Sequence, residues 1–304
     1  MTVAEAIAWA AERLAGAGVD PPLLDAELLV AHAMGGDRVS VITHPERSLS
    51  PEQDASLRAA VARRVAREPL PYILGWKEFY GRRFRVSPAV LIPRPETELL
   101  VDVAAAHLAS QGGCQRPLAL DVGTGSGCVA ITLALEVPNS RVVGYDISED
   151  ALGVAMRNAV ALAADRMVAP SPGRAFGSTS ARDASLSFRC GDFPDGLEDL
   201  VGAVDVLASN PPYVAWPDAS ELPPEVAEYE PLVALYSDEE GMGFTRRLVE
   251  HGPRLLKRGG AMVLEVACGQ GQRVAELFAS AGLRDVRVAN DLAGIPRVVA
   301  GVKR

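Results

Sequence analysis

Asn210-Pro211-Pro212-Tyr213 combines rigidity with hydrogen-bonding capacity in a way that suits gripping a planar –NH2 group. It follows an apolar run, Val204 to Ser209, that reads as a buried strand, so it lies where that strand leaves its sheet. Pro211 biases Asn210 toward extended backbone. Both prolines fix their own φ and carry no N–H. Asn210 supplies an amide with donor and acceptor character, and the diproline leaves carbonyls without local N–H partners. Tyr213 adds a flat aromatic face. The chemistry this permits is positioning, with the Asn210 oxygen and the Pro211 carbonyl accepting two N–H hydrogens. Alone, the tetrapeptide fits a plain Asn-Pro loop equally well.

A second constellation lies upstream. Leu118 to Val122 reads as a strand that runs straight into Gly123-Thr124-Gly125-Ser126-Gly127 and then an apolar helix. Such a turn needs glycine for positive φ and for close approach of backbone N–H groups to a ligand. The G-x-G-x-G spacing is shorter than the dinucleotide fingerprint, and no Lys-Ser/Thr follows as in a P-loop. It suits a ligand without a pyrophosphate. Asp146 ends the next strand, where an acidic side chain takes both hydroxyls of a ribose. Asp192-Phe193 ends the third, offering a polar contact and an apolar plane for an adenine. These groups and the Asn210 ledge all fall at carboxyl ends of consecutive strands, the binding edge of an open α/β sheet. A nucleoside-bearing cofactor is expected there.

The elements that must hold these residues alternate strand and helix from Pro117 onward, the signature of a parallel sheet. Seven strands are expected: 118–122, 141–145, 186–190, 204–209, 261–266, 285–288 and 296–302. The stretch 168–184, rich in Ser, Pro, Gly, Ala and Arg, reads as a loop. Residues 1–70 read as a helical domain for substrate recognition. Thr2 with Glu5 and Ser50 with Gln53 are capping boxes, and Asp20-Pro21 is expected to cap and open the second helix. Residues 71–98 read as a β-hairpin turning at Gly81-Arg82 and a proline-spaced hinge, in which Arg94 and Glu96 could pair, touch a ligand or cap the next helix. The catalytic domain then spans 99–304.

Composition narrows the function classes. With 48% apolar residues the chain can bury a sizeable core, and 30 basic against 39 acidic side chains give a net charge of −9. That balance argues against a general nucleic-acid binder. Residues 1–88 carry 11 of each sign, so the excess lies in the remainder. No signal peptide or membrane span is expected. Four scattered cysteines without a C-x-x-C pair suggest neither a zinc site nor a disulfide framework. A reduced, cytoplasmic enzyme without a metal is expected.

The Gly-rich turn, Asp146 and the Asn210 ledge resemble those of class I S-adenosylmethionine methyltransferases that modify planar amino groups. Longer stretches resemble the HemK family of protein-glutamine N5-methyltransferases nearly end to end: Leu24 to Leu29, Gly75 to Gly81, Leu91 to Glu98, Asp121 to Gly127, Asn210 to Tyr213, and Tyr229-Glu230-Pro231 with Ala234-Leu235. The resemblance implies a Rossmann-like seven-stranded sheet with an N-terminal helical domain joined by a β-hairpin. It implies S-adenosylmethionine bound by Gly123 to Gly127, Asp146, Phe193 and Asn210, to which the residue reading above adds Asp192. It also implies that Asn210, Pro211, Pro212 and Tyr213 hold the glutamine of a Gly-Gly-Gln tripeptide in peptide-chain release factors. Ala267 and Pro296 depart from the family pattern but lie away from the ledge. Three other readings stand beside it: a glutamine methyltransferase of a ribosomal protein, an amino methyltransferase of nucleic-acid bases, and a non-catalytic S-adenosylmethionine-binding protein.

Overall fold

The structure is a computed structural model that describes residues 1–110, 116–162, 168–169 and 185–304. It divides into two compact units, Met1–Trp76 with Leu222–Tyr229, and Lys77–Glu221 with Glu230–Arg304.

The first unit is helical: α1 (Val3–Gly16), α2 (Pro22–Met34), α3 (Arg38–Thr43), α4 (Pro51–Val65) and α5 (Leu70–Leu74). Both capping boxes form. Thr2 and Glu5 bond reciprocally at 3.3 and 2.8 Å, and Ser50 and Gln53 at 3.2 and 2.9 Å. The second helix departs from expectation. Pro21 occupies the cap position with no side-chain bond, so Asp20 does not cap it. Helices α3 and α5 were also not expected. Leu14, Leu29, Leu57 and Val61 close the core, each fully buried apolar side chain contributing roughly 1.5–3 kcal/mol.

An ion-pair cluster completes this unit. Buried Arg64 donates to Asp25 at 2.8 Å and to Glu225 at 2.9 Å, and Arg67 pairs with Glu225 at 2.8 Å. Burial pushes the Glu225 carboxyl up, but the Arg67 and Arg64 hydrogen bonds outweigh it and hold the group below its ordinary value. Tyr229 Oη donates to the Ala66 carbonyl at 2.5 Å. The segment 222–229 thus belongs to the helical unit although it is remote in sequence.

A hairpin follows, β1 (Trp76–Phe79) and β2 (Arg82–Arg85), which from Lys77 onward belongs to the second unit. Its turn residues Tyr80 and Gly81 both have positive φ, 53° and 69°, the hand that matches strand twist. Tyr80 tolerates this because its N–H donates to Glu98 at 2.7 Å and its hydroxyl to Asp102 at 2.8 Å.

The main sheet contains β3 (Leu118–Val122), β4 (Arg141–Asp146), β5 (Val168–Ala169), β6 (Leu186–Cys190), β7 (Val204–Ser209), β8 (Leu256–Glu265), β9 (Arg284–Asn290) and β10 (Pro296–Val302). Their spatial order is β5-β6-β4-β3-β7-β8-β10-β9, with β10 antiparallel to both neighbours. The seven expected strands are present. Val168–Ala169 adds a two-residue edge strand paired with Leu186 and Ser187, where a loop was expected; residues 170–184 lie outside the described residues. Side chains alternate between two apolar layers, with Ala119 in one and Leu118, Leu120 and Val122 in the other. The described helices α6 (Thr97–Ser110), α7 (Cys128–Glu136) and α8 (Glu149–Leu162) belong to the first of these layers. From β3 the chain proceeds to β4 and β6 on one side, and then to β7 and β8 on the other. The strand order therefore reverses at β3 and β7, whose carboxyl ends form the crevice where open α/β sheets bind ligands. No helix among the described residues is long and apolar enough to cross a membrane.

Candidate active site

The crevice opens into a cavity of about 630 Å³. Its floor is the Gly123–Gly127 turn, held in shape from two sides. Asp121, buried on β3, accepts from the Thr124 hydroxyl at 2.7 Å and from the Ala130 N–H at 3.1 Å, tying the turn to α7. Burial raises the Asp121 carboxyl to about 7, against the lowering effect of those two bonds. The N–H groups of Gly123 and Thr124 both donate to the Tyr145 carbonyl, at 2.8 and 3.0 Å. Gly123, Gly125 and Gly127 have φ of 75°, 54° and 79°, as the turn required.

Asp146 ends β4 against this turn. Its Oδ2 accepts from the Gly125 N–H at 2.8 Å and its Oδ1 from the Ser148 N–H at 2.9 Å. Two bonds leave lone pairs on both oxygens for a ligand. Burial raises the Asp146 carboxyl above its ordinary value, with the backbone bonds pulling the other way. After β6, Phe193 is buried on the cavity lining and meets Phe244 edge-on at 6.5 Å and 62°. Asp192 pairs with Arg247 at 2.9 Å, and both line the cavity.

Asn210 follows β7, next to the turn, and a Cβ on Gly123 would lie 3.9 Å from the Asn210 carbonyl. The Asn210 side chain is locked on one side only. Nδ2 donates to the Thr97 hydroxyl at 3.1 Å, while Oδ1 is buried with no partner among the described residues. An unpartnered buried acceptor costs roughly 1–3 kcal/mol, and such groups in a crevice point to a ligand that supplies the missing donor.

The structure sorts the sequence-derived residues. Gly123, Gly125, Asp146, Asp192, Phe193, Asn210 and Pro212 all line the cavity. Thr124 and Ser126 are buried beneath the turn, and Gly127 sits where a Cβ would meet Ile131 at 2.8 Å. Pro211 is buried, and its carbonyl has no N–H partner among the described residues. Tyr213 does not line the cavity; its ring lies near Glu265, Arg94 and Arg297, and burial pushes its hydroxyl up to about 12. Arg94 pairs with Glu230 at 2.6 Å instead of Glu96.

Other residues were not anticipated. Trp216 and Tyr236 stack at 4.4 Å and 10°, forming the aromatic wall expected of Tyr213. Trp216, three residues past Tyr213 and one of only three tryptophans, was the signal available in the sequence. Asn158 on α8 accepts from the Arg85 N–H at 2.7 Å and donates to the Ser126 carbonyl at 2.9 Å, joining hairpin to turn. Nothing in its sequence context marks it. Gly241, at φ 76°, approaches so closely that a Cβ would lie 2.1 Å from the Tyr213 carbonyl oxygen. It ends a left-handed run with Glu239 and Glu240, at φ 54° and 58°.

Comparison with known proteins agrees with this architecture. Residues 5–75 match the PrmC N-terminal domain model and residues 118–169 a methyltransferase domain model. A release factor glutamine methyltransferase of Geobacter sulfurreducens is 38% identical over 303 residues, covering 99% of this chain and 96% of that protein. The release factor glutamine methyltransferase of Koribacter versatilis is 39% identical, covering 100% of this chain and 99% of that protein. Among solved structures, the hMettl16 catalytic domain in complex with MAT2A 3'UTR hairpin 6 aligns with a TM-score of 0.54 at 15% identity, over 81% of this chain and 82% of that one, a likeness of fold. With full-length identity at this level, two matching domain models and a methyltransferase crevice, the chain belongs to the release factor glutamine methyltransferase family.

Proposed function

We propose that this protein methylates the side-chain amide nitrogen of a glutamine in peptide-chain release factors, with S-adenosylmethionine as methyl donor, and that the glutamine is that of a Gly-Gly-Gln tripeptide. The observation that carries the reading is the Asn210 amide: its NH2 is committed to Thr97, and its buried oxygen is left without a donor among the described residues at the cavity wall. A glutamine amide brings the N–H that this oxygen lacks.

The cavity fits the donor. The backbone of Gly123 and Gly125 offers close approach, Asp146 keeps lone pairs free for ribose hydroxyls, and Phe193 with Asp192 suits an adenine. When bound, S-adenosylmethionine supplies an electrophilic methyl group on a sulfonium. Asn210 Oδ1 and the Pro211 carbonyl accept the two amide hydrogens and so orient the nitrogen. An amide nitrogen is a weak nucleophile because its lone pair is delocalised. Fixing it in line can supply roughly 7–11 kcal/mol of the barrier, and the same acceptors favour the positive charge that develops on it. Among the described residues no His, Cys or Lys lines the cavity, so these residues hold the nitrogen rather than deprotonate it in advance, and the proton leaves to water.

Among the described residues, Asp146, Asp192, Asp238 and Glu239 line the cavity against the single guanidinium of Arg247. With the net charge of −9, this disfavours a phosphodiester substrate and favours a protein. Residues 1–70 are read as selecting that protein, 71–98 as the hairpin and hinge, and 99–304 as the catalytic part. A release-factor substrate puts the reaction in the cytoplasm. The test is incubation with S-adenosylmethionine and an unmodified release factor, followed by peptide mass spectrometry. A single methyl group on the Gly-Gly-Gln glutamine is expected; methyl transfer only to added RNA or DNA would overturn the reading.

A further inference from the structure

We propose that Glu230 is a positioning residue for methyl transfer: it ties together the two braces of the Asn-Pro-Pro-Tyr ledge and so holds the Asn210 amide in place for the substrate. This rests on the reading that Asn210 Oδ1 accepts an N–H from the substrate glutamine.

The ledge is braced at both ends. At one, Asn210 Nδ2 donates to the Thr97 hydroxyl at 3.1 Å, and Thr97 closes a turn in which its N–H donates to the Arg94 carbonyl at 3.1 Å. At the other, the Val214 N–H donates to the Leu235 carbonyl at 2.9 Å, and the Val214 carbonyl accepts from the Ser237 N–H at 3.0 Å. Glu230 connects the two braces. Its Oε1 accepts from Arg94 Nη2 at 2.6 Å and its Oε2 from the Ile92 N–H at 3.2 Å. Segments 92–97, 210–214 and 230–237 therefore form a closed ring, with Glu230 as one of its three links. The ring contributes Asn210, Pro212, Ala234 and Tyr236 to the cavity lining.

Local chemistry makes this link hard to replace. Ile92 is only 4% exposed, and its N–H has no other partner among the described residues. A buried N–H needs one. Pro93 and Pro95 carry no N–H and fix their own φ, so the segment cannot shift into a sheet to find another. The Glu230 side chain is 1% exposed, and a buried carboxylate is tolerated only where a cation and N–H groups satisfy it. Pro231 follows at once and caps the one-turn helix Leu232–Leu235, which fixes the carboxylate to the segment carrying Tyr236. The stretches Leu91 to Glu98 and Tyr229-Glu230-Pro231, far apart in sequence, thus meet in one contact. The methyl donor's residues are held by other bonds. Asp121 and the Tyr145 carbonyl hold the Gly123–Gly127 turn, and the Gly125 and Ser148 N–H groups hold Asp146. Loosening Glu230 therefore moves the ledge relative to a donor that stays bound.

The test uses the full chain with an unmodified release factor, measuring kcat and KM at saturating S-adenosylmethionine and the calorimetric Kd of the donor. Glu230→Ala removes both bonds and is expected to lower kcat about 10²-fold, the cost of a displacement near 1 Å at a positioning group. KM for the release factor and the donor Kd should stay within about threefold of the wild type, because the loss lies in the transition state. Glu230→Gln keeps an acceptor but loses the charge that holds Arg94, and kcat is expected to fall about tenfold. Arg94→Ala combined with Glu230→Gln should cost less than the product of the two single losses, because the pair acts as a unit. Wild-type kcat in a folded Glu230→Ala enzyme overturns the proposal. So does a loss of kcat matched by an equal loss of donor affinity, which marks a general loosening of the cavity. If Glu230→Ala does not fold, Glu230→Gln decides: lowered kcat at unchanged donor affinity supports the link, and wild-type kcat overturns it. A wild-type enzyme that leaves the release factor unmodified, or Asn210→Ala at the full rate, sinks the underlying reading and the ring with it. Asn210→Ala impaired beside fully active Glu230 variants sinks only the ring.

Discussion

Gly241→Ala tests whether the left-handed run 239–241 sets the position of the Asn-Pro-Pro-Tyr ledge. The substitution adds no functional group and removes none. A Cβ there would lie 2.1 Å from the Tyr213 carbonyl oxygen, where ordinary contact begins near 3.4 Å. One of the two backbones must therefore move by roughly 1.3 Å, since a carbonyl cannot rotate away as a side chain can. Alanine at φ 76° adds about 1–2 kcal/mol of strain, equivalent to a loss of roughly 2–8 °C in Tm for a unit of this size. The larger effect is expected on turnover. A displacement of about 1 Å at a positioning group costs on the order of 10²-fold, far more than the stability loss accounts for in a folded enzyme. The assay is kcat with a release factor at about 20 °C, well below the melting transition, alongside calorimetry with S-adenosylmethionine. Wild-type kcat with a lowered Tm would refute the link, because the strain would then be absorbed on the 238–241 side without reaching the ledge.

Asp146→Ala should weaken S-adenosylmethionine binding by about 1.5–3 kcal/mol, measured calorimetrically; an unchanged Kd removes Asp146 from the site. Arg64→Ala leaves Asp25 buried without its partner and should destabilise the helical unit by about 3–5 kcal/mol, seen as an earlier transition in denaturant; an unshifted curve contradicts the cluster's role. Asp121 has a folded pKa raised by burial to about 7, so the folded state holds a proton that the unfolded state has lost. Its contribution to stability is full below about pH 4 and is lost as pH rises to about 7. Asp121→Asn should therefore flatten the decline of Tm between about pH 5 and 7, and parallel Tm–pH curves for the two proteins would count against it.

Much of this site was legible because its parts are local. The glycine spacing dictates positive φ, the apolar runs before Gly123 and Asn210 dictate strands, and the alternation of strand and helix brings their carboxyl ends to one edge. Both capping boxes are four-residue signals and both form. What was not legible depends on contacts distant in sequence. Thr97 meets Asn210 across 113 positions, and Glu225 meets Arg64 across 161; no spacing rule encodes either. Asp20 fails as a cap because Pro21 takes the cap position and the helix starts one residue later. Tyr213 lies outside the cavity lining, where Trp216 and Tyr236 stack on each other. The Asn210 donor, which sequence alone leaves free, is consumed by Thr97.

The central claim is that Asn210 acts by accepting a substrate N–H, and its most direct test is the single-turnover rate of Asn210→Ala with release factor and saturating S-adenosylmethionine. The account predicts a rate lower by roughly 10²–10³, the usual cost of one transition-state contact, with cofactor affinity nearly unchanged. An Asn210→Ala enzyme that transfers methyl groups at the wild-type rate would contradict it.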